Sequence, residues 1–321
     1  MTDEGIFFFG VYVAFFVAGF ASVHGVARWL KAKGIVGRDI NKPGEPLLPE
    51  SAGIALLVPL WLFVGGYNLW VAQALDLIAL ACLATGYALV GFLDDTRNKF
   101  AGKPMGWGER ALPIAVLTLV FAWNYAESVY VFPFVALFVG VIASLHNTFA
   151  GLNGWEVGTS WLMGLAAAWL LLGTPLFLPA LAFNALVLGL LAWNVFPARV
   201  FPGDSGTLLL GALNAGLVAL TADVRLMGFY ALLFAPHFLD LVGLKWVTNA
   251  GDMTQNIQHP YALDAEARIC LPMHGGGRRK LDFAKALVCL VGPLGEDRLV
   301  WLIWSVVAGW LVVAFLFFKP L

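Results

Sequence analysis

Ten apolar runs follow one another along this chain, at 6–30, 52–68, 74–93, 111–125, 129–146, 156–173, 176–195, 206–221, 225–246 and 299–317. Most are close to the ~20 residues that a helix needs to cross the hydrocarbon core of a bilayer. In lipid every backbone polar group has to be satisfied by the protein itself, which leaves helices or closed barrels. The runs are continuously apolar rather than alternating, so they select helices. Composition agrees, with 60% of the 321 residues hydrophobic and only 12% charged. A soluble domain carries about 25% charged residues, and one of this size has too little interior to hide so much apolar surface. The sequence therefore predicts an all-α integral membrane protein with about ten transmembrane helices. It reads as one polytopic domain over 1–321, with a long loop at 247–298 before the last span.

The acidic start, Met1-Thr-Asp-Glu-Gly5, lacks the basic region of a cleavable signal peptide, so the first run is expected to be a permanent span. Cys82, Cys270 and Cys289 share no metal-ligand spacing, and their odd number argues against a disulfide framework. Placement of basic residues sets the orientation. Of the 19 Lys and Arg, only Arg225 and Lys319 fall outside the odd-numbered connections and the span ends beside them. Those connections are accordingly expected in the cytoplasm, with both termini outside. The loop at 247–298 is then cytoplasmic. It holds a strand-like stretch at 268–271 and an amphipathic stretch at 281–290 suited to lie on the bilayer.

Polar residues concentrate on this cytoplasmic face. Asp94-Asp95 stand at the foot of the third run, followed by Arg97, Asn98, Lys99, Lys103, Glu109 and Arg110. Paired acids at the edge of the hydrocarbon are costly to keep and point to a cation or a proton transfer. Three other loops face the same side: Ile40-Asn41-Lys42 with Pro49-Glu50-Ser51, then His146-Asn147 through Asn153-Gly154-Trp-Glu156, then Asn194 through Phe201-Pro-Gly-Asp204-Ser-Gly206. Acids, amides and glycines converging on one face suit a metal-assisted phosphate site. Hard oxygen ligands fit Mg²⁺, which shares its shell with water and substrate phosphate.

Plainer readings compete at each position. Asp94-Asp95 could merely stop a helix, though acids at a helix C-terminus oppose its dipole. Asp204 could be an ordinary N-cap of the eighth span. Asn147 and Asn153 could terminate helices, and His274, Arg278 and Arg279 could form a solvated basic loop beside anionic headgroups.

In this order the four loops resemble the polyprenyl-phosphate N-acetylhexosamine-1-phosphate transferase superfamily along nearly the whole chain. Asn147-Thr-Phe-Ala-Gly-Leu-Asn153-Gly-Trp-Glu156 is similar to the Asn-Gly-x-Glu form of the dolichyl-phosphate GlcNAc-1-phosphate transferase branch, found in archaea and eukaryotes. The stretch from Asn194 to Asp204 and Pro49-Glu50-Ser51 also resemble that branch. The resemblance implies transfer of N-acetylglucosamine-1-phosphate, or a similar HexNAc-1-phosphate, from a UDP-sugar to a polyprenyl or dolichyl phosphate. UMP would be released in a first membrane step of N-glycan-type assembly.

Carried over residue by residue, the resemblance implies that Asn147 and Asp204 hold Mg²⁺, with Mn²⁺ a possible substitute. It implies that Ile40, Gly151, Asn153 and Phe201 surround the uracil. Asp94, Asp95, Asn98 and Lys103 would line the phosphate and lipid-phosphate region as catalytic residues, Lys103 with one residue deleted from the family spacing. Glu50, His274, Arg278 and Arg279 would bind substrate; the family's basic triplet with a central His is here Met273-His274-Gly275. The resemblance further implies a homodimer embedded in membrane lipid, no nucleic-acid partner, and an archaeal or other prokaryotic cell membrane. An ion-coupled transporter and a bacterial-type undecaprenyl-phosphate transferase are the competing functions. A transporter would place its charges near the bilayer midplane, whereas these lie at span ends.

Overall fold

The computed structural model describes residues 3–42, 44–249, 261–271 and 281–318, without the side chain of Asn249. His274, Arg278 and Arg279 lie outside the described residues. Each of the ten apolar runs falls on a helix. The first is α1 (Asp3–Ala32), and the second is a 3₁₀ turn (Ala52–Leu56) continued by α2 (Leu57–Trp70). Then follow α3 (Leu75–Ala101), α4 (Trp107–Tyr125), α5 (Phe132–Thr148), α6 (Trp155–Leu170), α7 (Phe177–Asn194) and α8 (Gly203–Ala219). The ninth run is broken into α9 (Val224–Leu233), α10 (Ala235–Phe238), a π-helical stretch (Leu239–Trp246) and α11 (Val247–Asn249). Pro236 has no N–H to continue the ladder, and the two parts bend by 59°. The amphipathic stretch forms α12 (Phe283–Val291), and the last run forms α13 (Glu296–Phe317).

Among the described residues, five helical segments are long and apolar enough to cross a membrane: Asp3–Ala32, Ala52–Trp70, Leu75–Ala101, Phe177–Asn194 and Glu296–Phe317. The bent pair makes a sixth if it counts as one span. α5, α6 and α8 are only 17, 16 and 17 residues long, which is why they fall short of the measure. Beyond the helices, the described residues form two small antiparallel ribbons. Val36–Arg38 (β1) pairs with Leu47–Pro49 (β2), and Ala262–Leu263 (β3) with Ile269–Cys270 (β4). The second contains the strand-like stretch; the first was not apparent in the sequence. All three cysteines are free.

Burial separates centre from rim. In α1 only 11% of the apolar window is buried, against 67% in α7. α8 is buried from Ser205 to Ala219 and packs against α3, α5 and α6. The outward faces carry Leu62, Leu112, Val120, Leu137, Trp169 and Leu316, all more than half exposed, as lipid-facing side chains would be. Because α8 runs through the middle, its N-terminus opens at the centre of one end of the bundle. Gly91 permits this, since a Cβ there would collide with the Asp204–Ser205 backbone.

Candidate active site

The loops at that end are fastened to one another through backbone groups. Phe201 N–H donates to Pro49 O at 2.8 Å, and Ala52 N–H donates to Phe201 O at 2.9 Å. Asn194, fully buried, accepts from Gly154 N–H at 3.1 Å and donates to Val200 O at 3.0 Å. Trp304 Nε1 donates to Gly154 O at 3.1 Å. These bonds satisfy buried backbone that the irregular chain would otherwise orphan, and they hold the three loops around a cavity of about 280 Å³. Ile40, Glu50, Asp95, Asn147, Gly151, Asn153, Phe201 and Asp204 all line it. Eight positions predicted from four distant stretches of sequence thus share one cavity.

The acid pair divides. Asp94 is buried, and both oxygens are taken: Oδ1 by Met105 N–H at 2.6 Å, Oδ2 by Arg110 at 2.9 Å. Arg110 also bridges to Asp204 Oδ2. Asp95 faces the cavity, accepts from the Ser51 hydroxyl, and accepts from the backbone N–H groups of Asp204 at 3.2 Å and Ser205 at 3.4 Å. It therefore serves as the N-terminal cap of α8 from another helix. Asp204 itself is the second residue of α8 rather than its cap, which corrects the N-cap reading. Gly203 has φ +67°, and a Cβ there would collide with Asp95, so glycine is required at this turn.

About two turns of α3 continue beyond the apolar run that ends at residue 93, and they carry the acids out of it. There burial, then the Asp204 carboxylate, pushes Asp95 up to about 7, against the Ser51 hydrogen bond. Burial also pushes Asp204 up to about 6, with Arg110 pulling it down and Asp94 pushing it up.

Asn98 and Lys103 are exposed, on the last turn of α3 and in the loop after it, and neither lines the cavity. The cation that meets the acids is Arg110. The sequence shows Arg110 only as one of the charges that follow the acid pair. The available signal was its position one residue before the fourth apolar run, where a helix start folds back over the third run's foot. Lys99 pairs with Glu50 at 2.5 Å, placing that acid between α3 and β2. Ser51, Asp39 and Thr207 were also given no role from sequence. Thr207 donates to Asn147 Oδ1 at 2.5 Å.

The described residues hold no group of three or more His, Cys, Asp or Glu placed to cage a metal. The oxygens available, from Asp204 and Asn147, which both line the cavity, fit the Mg²⁺ pattern of one or two protein ligands completed by water and phosphate.

Residues 77–222 match the family model described as glycosyl transferase family 4. A provisionally named glycosyltransferase of Methanocaldococcus jannaschii is 28% identical over 277 residues, covering 84% of this chain and 83% of that protein. A protein of Saccharolobus solfataricus, provisionally named UDP-N-acetylglucosamine–dolichyl-phosphate N-acetylglucosaminephosphotransferase, is 27% identical over 74% of this chain and 77% of its own. The phospho-N-acetylmuramoyl-pentapeptide-transferase of Thermoanaerobacter sp. is 28% identical over 66% and 68%.

Proposed function

We propose that this member of glycosyl transferase family 4 moves a HexNAc-1-phosphate, N-acetylglucosamine-1-phosphate in the first instance, from a UDP-sugar to a polyprenyl or dolichyl phosphate. The observation that carries the proposal is one cavity at the N-terminus of α8, which joins Asp95, Asp204 and Asn147 to the expected nucleotide residues Ile40, Gly151, Asn153 and Phe201. Likeness to relatives named for this chemistry supports it. A polyanionic soluble donor and a lipid acceptor meet only at a membrane surface. In this reading all ten helical runs span, the cavity faces the cytoplasm of a prokaryotic cell membrane, and the protein works as a homodimer.

An oxygen of the lipid phosphate attacks the phosphorus that bears the sugar. The P–O bond that bridges to the other phosphorus breaks, and UMP leaves. Asp95 is the better placed of the two acids to take a proton from the lipid phosphate, because it faces the cavity while Asp94 is saturated. Asp94 holds the Arg110 guanidinium, which stabilises charge on the phosphoryl oxygens. Arg110 thus takes the part that the resemblance gave to Lys103. Asp204 and Asn147 would hold Mg²⁺, whose contribution when bound is to neutralise pyrophosphate charge. Glu50 orders the cavity wall through Lys99, and sugar recognition falls to His274, Arg278 and Arg279.

Purified protein with Mg²⁺, dolichyl or undecaprenyl phosphate and a panel of UDP-sugars tests this reading. UMP release with a lipid-linked product is expected for UDP-GlcNAc or a close relative. Absence of product across the panel refutes it.

A further inference from the structure

Asn153 is held by two carboxylates from opposite ends of the chain. Its backbone N–H donates to Glu296 Oε1 at 2.7 Å, and its side-chain Nδ2 donates to Asp39 Oδ2 at 2.9 Å. Lys42 Nζ stands between the acids, pairing with Glu296 Oε2 and with Asp39 Oδ1 at 3.5 Å. Asp39, Asn153 and Glu296 are each no more than 6% exposed, so the bonds among them are little weakened by water, although Asp39 and Asn153 both line the cavity. Glu296 is the first residue of α13, where the helix dipole favours its charge.

The clamp decides the orientation of an amide. Asp39, its charge balanced by Lys42, only accepts hydrogen bonds, so the NH₂ end of Asn153 has to face it. That leaves Oδ1, to which no described residue donates, as the polar atom that Asn153 can offer to the cavity it lines. A free amide can turn either way and serve a donor or an acceptor. This one is locked as an acceptor.

We infer that Asp39, supported by Lys42 and Glu296, is a positioning residue that makes the cavity specific for uracil over cytosine. The inference rests on the nucleotide reading of the cavity given above. Uracil presents N3–H, which the Asn153 Oδ1 accepts. Cytosine presents a lone pair at N3, which faces that oxygen unpaired and repelled. Rejecting the analogue that lacks a needed hydrogen bond is the strongest form of selection a polar site makes.

Binding of UDP and of CDP to the full chain, measured by calorimetry with Mg²⁺ present, tests the inference. Wild type is expected to prefer UDP by about a hundredfold. In Asp39→Asn the new amide can accept or donate, Asn153 is free to turn, and the preference is expected to narrow by about tenfold or more, the scale on which an outer partner tunes the group it orients. A merely structural loss weakens both nucleotides together and leaves their ratio unmoved. Glu296→Gln keeps an acceptor for the Asn153 N–H but removes the charge that balances Lys42. It carries the same test, with a smaller narrowing, should D39N fail to purify. A UDP-to-CDP ratio within about threefold of wild type in the variant overturns the inference while leaving the cavity a nucleotide site. Failure of wild type to bind UDP overturns the functional reading and this inference with it.

Discussion

Two of the polar regions among the described residues of this bundle use polarity differently. Between α1, α6 and α7, Trp161 Nε1 donates to Tyr12 Oη at 3.0 Å, Tyr12 donates to Asn184 Oδ1 at 2.8 Å, and Asn184 Nδ2 donates to Trp161 O at 2.8 Å. The ring of bonds is neutral and closed on itself. At the ends of α3 and α8, Asp95 and Asp204 line the cavity, Arg110 bridges Asp94 and Asp204 behind it, and Asp95 and Asp204 shift upward together. A closed neutral network specifies how helices register. Charges kept beside an opening cost stability and are retained where they serve chemistry. The contrast also weighs against ion-coupled transport, since Asp94, Asp95 and Asp204 lie at helix ends while the interior ring is uncharged.

If the contrast is right, changes in the charged region abolish the rate and spare the fold. Asp204→Asn and Asp95→Asn are each expected to cut sugar-1-phosphate transfer by about 10³-fold or more, with thermal unfolding moved only by a few degrees. Transfer at the wild-type rate in either variant breaks the site assignment. Arg110→Ala should lose about 10²-fold in kcat/KM, and Arg110→Lys, which keeps the charge but loses the fork that spans two carboxylates, should recover part of it.

The interior ring predicts the reverse. Asn184→Ala orphans the Tyr12 hydroxyl and should cost about 1–3 kcal/mol, read as a lower unfolding temperature, while kcat per folded molecule stays within about threefold. A large kcat loss there would mean that the two regions are coupled. The smallest effect is expected from Lys103→Ala. Because the side chain is exposed and off the cavity wall, activity should fall by less than about threefold. A hundredfold loss would restore the role that the family spacing suggested and remove it from Arg110.

Much of this arrangement was legible in the sequence, for identifiable reasons. Apolar runs near span length declare their helices without tertiary context, and the ten runs do fall on helices. Asp94-Asp95, Asn147 and Asp204 stood out because acids and amides are conspicuous against lipid-like sequence. Arg110 did not, because a cation beside a span is also what an interface wants, and only the fold brings it onto acids 16 and 94 residues away. The Lys42–Glu296 pair spans 254 residues and has no local signature. The break at Pro236 sits inside a run that reads as continuous by hydropathy. Asp204 was read as a cap because Asp is a favoured cap residue. The cap comes from Asp95, through a close approach that Gly91 and Gly203 allow.

The most direct test of the central claim follows one phosphorus atom. UDP-GlcNAc labelled at the phosphate next to the sugar is supplied to purified protein with Mg²⁺ and dolichyl or undecaprenyl phosphate, and the label is traced through a single turnover. Transfer of sugar-1-phosphate predicts that the label enters the lipid product while unlabelled UMP appears in equal amount. Label leaving as UDP would mean that the sugar alone is transferred, and would contradict the account.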